Sequence, residues 1–100
     1  MANIDAMSAT SIPLSVVLRE MDQKIRPNGN PKTFSIKFVK KNGELVYYHR
    51  AISTGLNMNL KKNAMRGVRL VDRDFNGIDH HTPVYIWAIV EFNGMRVVLK

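Results

Sequence analysis

The residues of this chain best suited to bind a cation lie close together in the segment VDRDFNGIDHH, residues 71–81. Four of them carry the side-chain oxygens that calcium prefers: Asp72, Asp74, Asn76 and Asp79. Gly77 stands where an EF-hand loop bends, but Pro83 occupies the position that needs a bidentate glutamate. The flanking residues also have the composition of strands rather than helices. We therefore interpret the segment as a hairpin turn and keep calcium binding as the alternative.

A two-residue turn at Asn76-Gly77 is the simplest form of that hairpin. It would place Asp74 opposite Asp79, and like charges directly across a ladder are unfavourable. Because aspartate is a natural turn former, we expect a wider loop whose carboxylates spread into the solvent.

Other metal or catalytic chemistry has little support in the sequence. His80 and His81 are adjacent, so in a strand they would point to opposite faces and could not easily share a metal. The absence of cysteine excludes thiolate metal sites and cysteine catalysis, and it fits a reducing, cytoplasmic location. The chain also lacks a glycine-rich phosphate loop and a nucleophile elbow. We expect no catalytic residue, no cofactor and no enzyme activity.

The charge of the chain points to a polyanionic ligand. Fifteen Lys and Arg residues face eight Asp and Glu residues, which gives a formal net charge of +7. Between Gln23 and Val71 there are eleven basic residues and a single acidic one, Glu44. Such a field attracts nucleic acid or another anionic surface. A solvated face that binds nothing specific is the alternative interpretation.

The best candidate binding surface is one face of the first predicted hairpin together with the basic segment that follows it. On such a face cations contact phosphates and an exposed ring stacks on a base. The residues expected to bind are Lys37, Tyr48 and Arg50 on the face, Lys40 and Lys41 at the tip, and Lys61, Lys62 and Arg66 beyond it. The predicted function is therefore binding of DNA or RNA by a small basic domain. The alternative is a protein-interaction or assembly module that uses residues 95–99 as an exposed edge strand.

One helix and a set of hairpins must position these surfaces. Apolar residues at three- and four-residue steps predict an amphipathic helix over about 13–24. Asn-Gly recurs at 42–43, 76–77 and 93–94, which predicts hairpin turns between strands. The five strands are expected at about 33–40, 44–51, 67–73, 83–92 and 95–99. Residues 1–10 are expected to form a disordered tail, residues 11–100 a single domain, and residues 52–66 either a loop or a short helix.

A two-residue turn at Asn42-Gly43 would fix the register of the first hairpin. Phe34 would then face Ala51, and Phe38 would face Tyr47. In this register Lys37, Tyr48 and Arg50 share the opposite face of the hairpin, because side chains alternate between faces. In the last hairpin we expect Glu91 opposite Arg96.

The run at residues 83–92 is apolar on both alternating sets, which is typical of a central strand that is covered on both sides. The predicted fold class is α+β, with one short N-terminal helix on a twisted five-stranded antiparallel sheet of hairpins. The sheet either stays open or curls into a small barrel of the OB or SH3 kind. A membrane helix is not expected, since no apolar run approaches about 20 residues, and a secretory signal is not expected because residues 1–10 lack a basic n-region and an apolar h-region.

Overall fold

The computed structural model describes residues 11–23, 29–54, 64–78 and 80–99. Its elements follow in this order: β1 Ser11–Pro13, α1 Leu14–Asp22, β2 Thr33–Val39, β3 Leu45–Thr54, β4 Met65–Leu70, β5 Thr82–Tyr85, a 3-10 helix Ile86–Ala88, β6 Ile89–Phe92 and β7 Met95–Val98. The helix and four of the predicted strands are confirmed, with their ends moved by at most three residues. The predicted tail and residues 55–63 of the undecided segment lie outside the described residues. The loop or short helix expected over 52–66 is wrong at both ends, because residues 52–54 belong to β3 and residues 65–66 to β4.

The seven strands of the described chain form one mixed sheet in the order β1-β7-β6-β2-β3-β4-β5. β1 pairs with β7 in parallel, and the other neighbours are antiparallel. The α+β class is confirmed, but the five-stranded, purely antiparallel sheet is wrong, and the sheet does not close into a barrel. The sequence does not predict β1, because three residues that end in a proline are too few to show an alternation of apolar and polar side chains.

The apolar run at residues 83–92 is a corner rather than one central strand. The 3-10 helix separates β5, which pairs with β4 at the end of the sheet, from β6, which pairs with β2. A straight strand could not connect these two positions. Trp87 lies in the corner and is 57% exposed, so the apolar character of the run does not reflect burial on both sides.

The core lies on one face of the sheet, and α1 packs against it. Three residues that alternate along β2 are almost completely buried there: Phe34, Ile36 and Phe38. α1 adds Val17 and Met21, since its apolar residues recur at helical spacing. Ser53 Oγ on β3 donates a hydrogen bond of 2.6 Å to the carbonyl oxygen of Met21, which satisfies an acceptor at the helix end. None of the described helices has the length and apolar character that a membrane span requires.

The β2–β3 hairpin turns through three residues instead of two. The N–H of Lys40 donates to the carbonyl oxygen of Glu44 at 2.8 Å, which leaves residues 41–43 as the loop. Gly43 has φ +88°, and a residue with positive φ at this position is what a three-residue hairpin loop requires. The strand pairs nearest the tip are therefore one residue away from the expected register.

A β-bulge restores the expected register at the base of this hairpin. Near the tip Lys37 pairs with Tyr47, whereas below the bulge Phe34 pairs with Ala51 as predicted. Tyr47 and Tyr48 both lie in the shifted part. Because successive side chains point to opposite faces, the shift exchanges the tyrosine that faces the core with the one that faces outward.

The last hairpin agrees with the prediction. Asn93 and Gly94 have positive φ values of 52° and 79°, as a two-residue turn of this kind requires, and Glu91 pairs with Arg96. The expected exposed edge at residues 95–99 is wrong, however, because β1 pairs with β7 along that edge.

Candidate functional site

The outer face of the sheet, opposite the core, carries a row of polar and aromatic residues across four strands. By register the row runs from Tyr47 on β3 through Lys37 on β2 and Glu91 on β6 to Arg96 on β7. Lys37 Nζ lies 3.0 Å from Glu91 Oε2 and 5.8 Å from the centre of the Tyr47 ring. Tyr47 is 58% exposed. The row therefore places a cation beside an accessible aromatic ring.

Two open depressions lie along β2 on this face, with volumes of about 250 and 370 Å³, and both are lined by Ser35. We call the two together the β2 groove. The side chains that give it chemical character are Lys37, Tyr47, Glu91, His49 and Arg50. The small side chain of Ser35 leaves space between the larger ones, so an elongated ligand could lie along the strand.

Tyr48, expected on this face, points to the core. It is 9% exposed, and its ring meets Phe38 edge-on with centroids 5.4 Å apart. Its hydroxyl lies 3.3 Å from Thr82 Oγ1. The expected position of Tyr48 beside Lys37 is therefore corrected, and Tyr47 occupies that position because of the three-residue loop. Lys-Asn-Gly also suits a three-residue loop that ends on glycine, so the sequence is compatible with the observed loop as well as with the predicted two-residue turn.

Three of the predicted binding cations have acidic partners in the structure. The pairs are Lys37 with Glu91, Lys40 with Glu44, and Arg66 with Asp22. Arg66 Nε lies 3.0 Å from Asp22 Oδ1, and the Arg66 side chain is only 16% exposed. Arg66 thus connects β4 to the end of α1, which gives it a structural role.

Of the remaining predicted cations, two lie within the described residues and two lie outside them. Arg50 lines the β2 groove, and Lys41 Nζ lies 5.6 Å from the centre of the Tyr85 ring. Within the described ranges neither of these two forms an ion pair. Lys61 and Lys62 lie outside the described residues, and their contribution stays a prediction.

The acidic segment turns earlier in the chain than expected. Val71 pairs with Gly77, and the N–H of Asp72 donates to the carbonyl oxygen of Asn76 at 2.9 Å, so the loop consists of residues 73–75. Phe75 adopts the left-handed conformation, with φ 66°, that closes such a loop. The loop is therefore wider than two residues, as expected, but it is centred on Asp74, and Asn76 and Gly77 belong to the paired stem.

Asp72 organises this loop through its side chain. Its Oδ1 accepts hydrogen bonds of 2.9 Å from the N–H groups of Asp74 and Asn76. The bond from Asn76 has the larger effect, and together the two bonds lower the pKa of Asp72 below its ordinary value of 3.8, because they stabilise the carboxylate. Asp79 lies outside the described residues, and within them no group of three or more histidines and acids could hold a metal ion. Calcium binding by this segment thus stays an untested alternative.

We expect Asp72→Asn to lower the melting temperature by a few degrees at neutral pH, because an amide oxygen is a weaker acceptor than a carboxylate. The folded pKa lies below the ordinary value of 3.8, so this stabilisation is present above that pH and is lost as the pH falls through the folded pKa. Thermal unfolding followed by circular dichroism should give melting temperatures that converge on acidification.

Asp74→Asn is the matched control for this measurement. Asp74 takes part in the hydrogen bonding of the loop through its N–H, which donates to Asp72 Oδ1 and which the substitution leaves in place. A difference between wild type and Asp72→Asn that is equal at neutral and acidic pH would contradict the role of the Asp72 charge.

The arrangement on the outer face can hold an anionic, partly aromatic ligand. Lys37 and Arg50 supply positive charge within the groove, and Tyr47 supplies a ring on which a planar group can stack. Comparisons with protein-family models, curated proteins and solved structures find no significant match.

Proposed function

We propose that the protein binds nucleic acid through the β2 groove and acts as a small basic binding domain without enzyme activity. The observation that carries the proposal is the exposed ring of Tyr47 beside Lys37 in a groove that also contains Arg50. On small β domains such cations contact phosphates while the ring stacks on a base. Lys41 at the hairpin tip is a further contact, and Lys61 and Lys62 are predicted ones.

The electrostatics of the chain support a polyanionic ligand. A net charge of +7 steers anions to the surface and favours their binding at low salt. The Lys37–Glu91 pair does not prevent this, because both side chains are partly exposed. Ion pairs near the surface contribute only about 0–1 kcal/mol, so a phosphate can replace the carboxylate at small cost.

Tyr47→Ala is expected to weaken binding of a single-stranded oligonucleotide about tenfold, because stacking on one base contributes about 1–3 kcal/mol. Fluorescence anisotropy with labelled DNA and RNA strands at low salt measures this. Leu45→Ala is the matched control, since Leu45 has the same exposed fraction of 58% and lies two residues away on the same strand and face. Equal losses in the two variants would contradict a stacking role for Tyr47.

The same titration over a salt series tests the contacts with phosphate. For a single strand the logarithm of the binding constant should fall with the logarithm of salt concentration, with a slope of about −0.7 per phosphate contacted. Absence of binding to any DNA or RNA at low salt would contradict the proposed function. Affinity that does not change with salt would contradict the part played by the cations.

A protein partner is the second candidate function, favoured by the apolar residues of the same face. Leu45 and Tyr47 are both 58% exposed, and exposed apolar residues of this kind occur at interaction sites. Because β1 covers β7, the partner would pack on the face rather than add a strand at residues 95–99. Sedimentation velocity distinguishes the two functions: self-association lost in Leu45→Ala but kept in Lys37→Gln would favour a protein interface.

A further inference from the structure

A second exposed aromatic surface lies near the tip of the β2–β3 hairpin. Tyr85, the last residue of β5, and Trp87, in the 3-10 helix, have ring centroids 5.0 Å apart and planes inclined by only 14°. Lys41 Nζ from the hairpin loop lies 5.6 Å from the centre of the Tyr85 ring. These three residues, which we call the Trp87 stack, thus combine parallel rings with a positive charge.

The corner between β5 and β6 produces this stack. In a straight strand, residues two apart lie about 6.6 Å from each other along the chain, and their rings stand side by side. The 3-10 turn brings the two rings into contact instead. One face of the indole ring packs on Tyr85, and Trp87 as a whole is still 57% exposed.

An exposed tryptophan contributes little to the stability of the fold, because the hydrophobic contribution comes from removing apolar surface from water. The exposed part of the indole ring can instead accept another flat ring in the same parallel orientation, as stacked aromatic groups do. The neighbouring Lys41 would attract a negatively charged group to the same place. A planar base that carries a phosphate has both properties.

We infer that Trp87 stacks on an unpaired base, so that the protein prefers single-stranded to double-stranded nucleic acid. The inference rests on the proposed function and adds the form of the ligand. A base within a duplex has both faces covered by its neighbours, whereas an unpaired base offers a face to an aromatic side chain.

The β2–β3 hairpin contributes to both sites, because Lys37 lies in the β2 groove and Lys41 lies over the Tyr85 ring of the Trp87 stack.

Trp87 is the only tryptophan of the chain, so its fluorescence reports directly on the proposed contact. Three probes separate charge from stacking: an oligothymidylate strand, a DNA duplex of the same length, and inorganic polyphosphate, which has no bases. We expect the single strand to quench Trp87 emission to saturation. The duplex and polyphosphate should compete for the cations in anisotropy measurements but leave the emission unchanged.

Trp87→Ala should weaken single-strand binding about tenfold, measured by anisotropy of the labelled strand, and should leave duplex binding unchanged. Trp87→Phe keeps an aromatic ring and should recover most of the affinity. Ile78→Ala is the matched control, because Ile78 has the same exposed fraction of 57% and lies outside both the groove and the stack.

The outcomes distinguish the inference from the proposed function. Binding of the single strand without quenching, or unchanged affinity in Trp87→Ala, would overturn the inference and leave the proposed function standing. Equal quenching by the duplex would overturn the preference for single strands. Absence of binding to both nucleic acids in the anisotropy measurement would overturn the inference and the proposed function together.

Discussion

Tyr48→Ala is expected to destabilise the protein by about 3–5 kcal/mol, the usual cost of deleting a large buried aromatic side chain, whereas Tyr47→Ala should change stability by less than about 0.5 kcal/mol. The two residues are adjacent and chemically identical. Tyr48 packs against Phe38 with 9% of its surface exposed, and Tyr47 is 58% exposed. The comparison therefore tests the register of the β2–β3 hairpin directly.

Denaturant unfolding followed by far-ultraviolet circular dichroism measures both changes. Domains of this size are stable by only about 5–15 kcal/mol, so Tyr48→Ala can leave little folded protein. Tyr48→Phe then provides the measurement, because it removes only the hydroxyl that lies 3.3 Å from Thr82 Oγ1 and should cost about 1 kcal/mol. A larger loss of unfolding free energy in Tyr47→Ala than in the Tyr48 variants would mean that the two-residue turn and its register are correct.

Gly67→Ala is expected to destabilise the fold by about 3 kcal/mol, the upper end of the usual cost of overpacking. Gly67 pairs with Thr54 across β3 and β4, and a Cβ atom at this position would lie 2.6 Å from the Thr54 carbonyl oxygen. That oxygen belongs to the backbone of a paired strand, so it cannot move without disturbing the ladder.

Gly77→Ala is the matched control for this prediction. A Cβ atom there would also be too close to a neighbour, at 2.1 Å from Arg69 Cζ. The neighbour is, however, the end of a side chain and not the backbone of a strand ladder, so we expect Gly77→Ala to cost less than Gly67→Ala. Thermal unfolding of both variants checks the difference, and equal losses would show that the β3–β4 approach is not what requires Gly67.

Local patterns in the sequence are sufficient to predict the helix and the last hairpin. The apolar spacing of α1 and the Asn93-Gly94 turn depend on residues that are close in the chain, and both adopt the structure that the local pattern favours. The first hairpin is different, because Asn42-Gly43 suits both a two-residue and a three-residue loop. The choice between them depends on packing: the three-residue loop places Tyr48 against Phe38.

In the candidate site, too, some features follow from local sequence and others depend on strand pairing. Its charge and the involvement of Lys37 and Arg50 can be predicted from composition and strand alternation, but its ring cannot, since Tyr47 and Tyr48 exchange places with a shift of one residue. The exposed position of Trp87 could not be predicted for another reason. Its neighbours form a continuous apolar run, and only the position of β5 and β6 in the sheet order reveals that the chain must bend there.

The loop at residues 41–43 and the bulge of β3 have opposite effects on strand pairing, so the offset is confined to the part of the hairpin between them. The bulge absorbs the offset that the loop introduces before it reaches the pairing of β3 with β4. The outer end, which carries Lys37 and Tyr47, is thereby shifted by one residue, whereas the inner end keeps the pairing of Phe34 with Ala51. Variation in the outer end can thus alter recognition while the inner end retains its alignment.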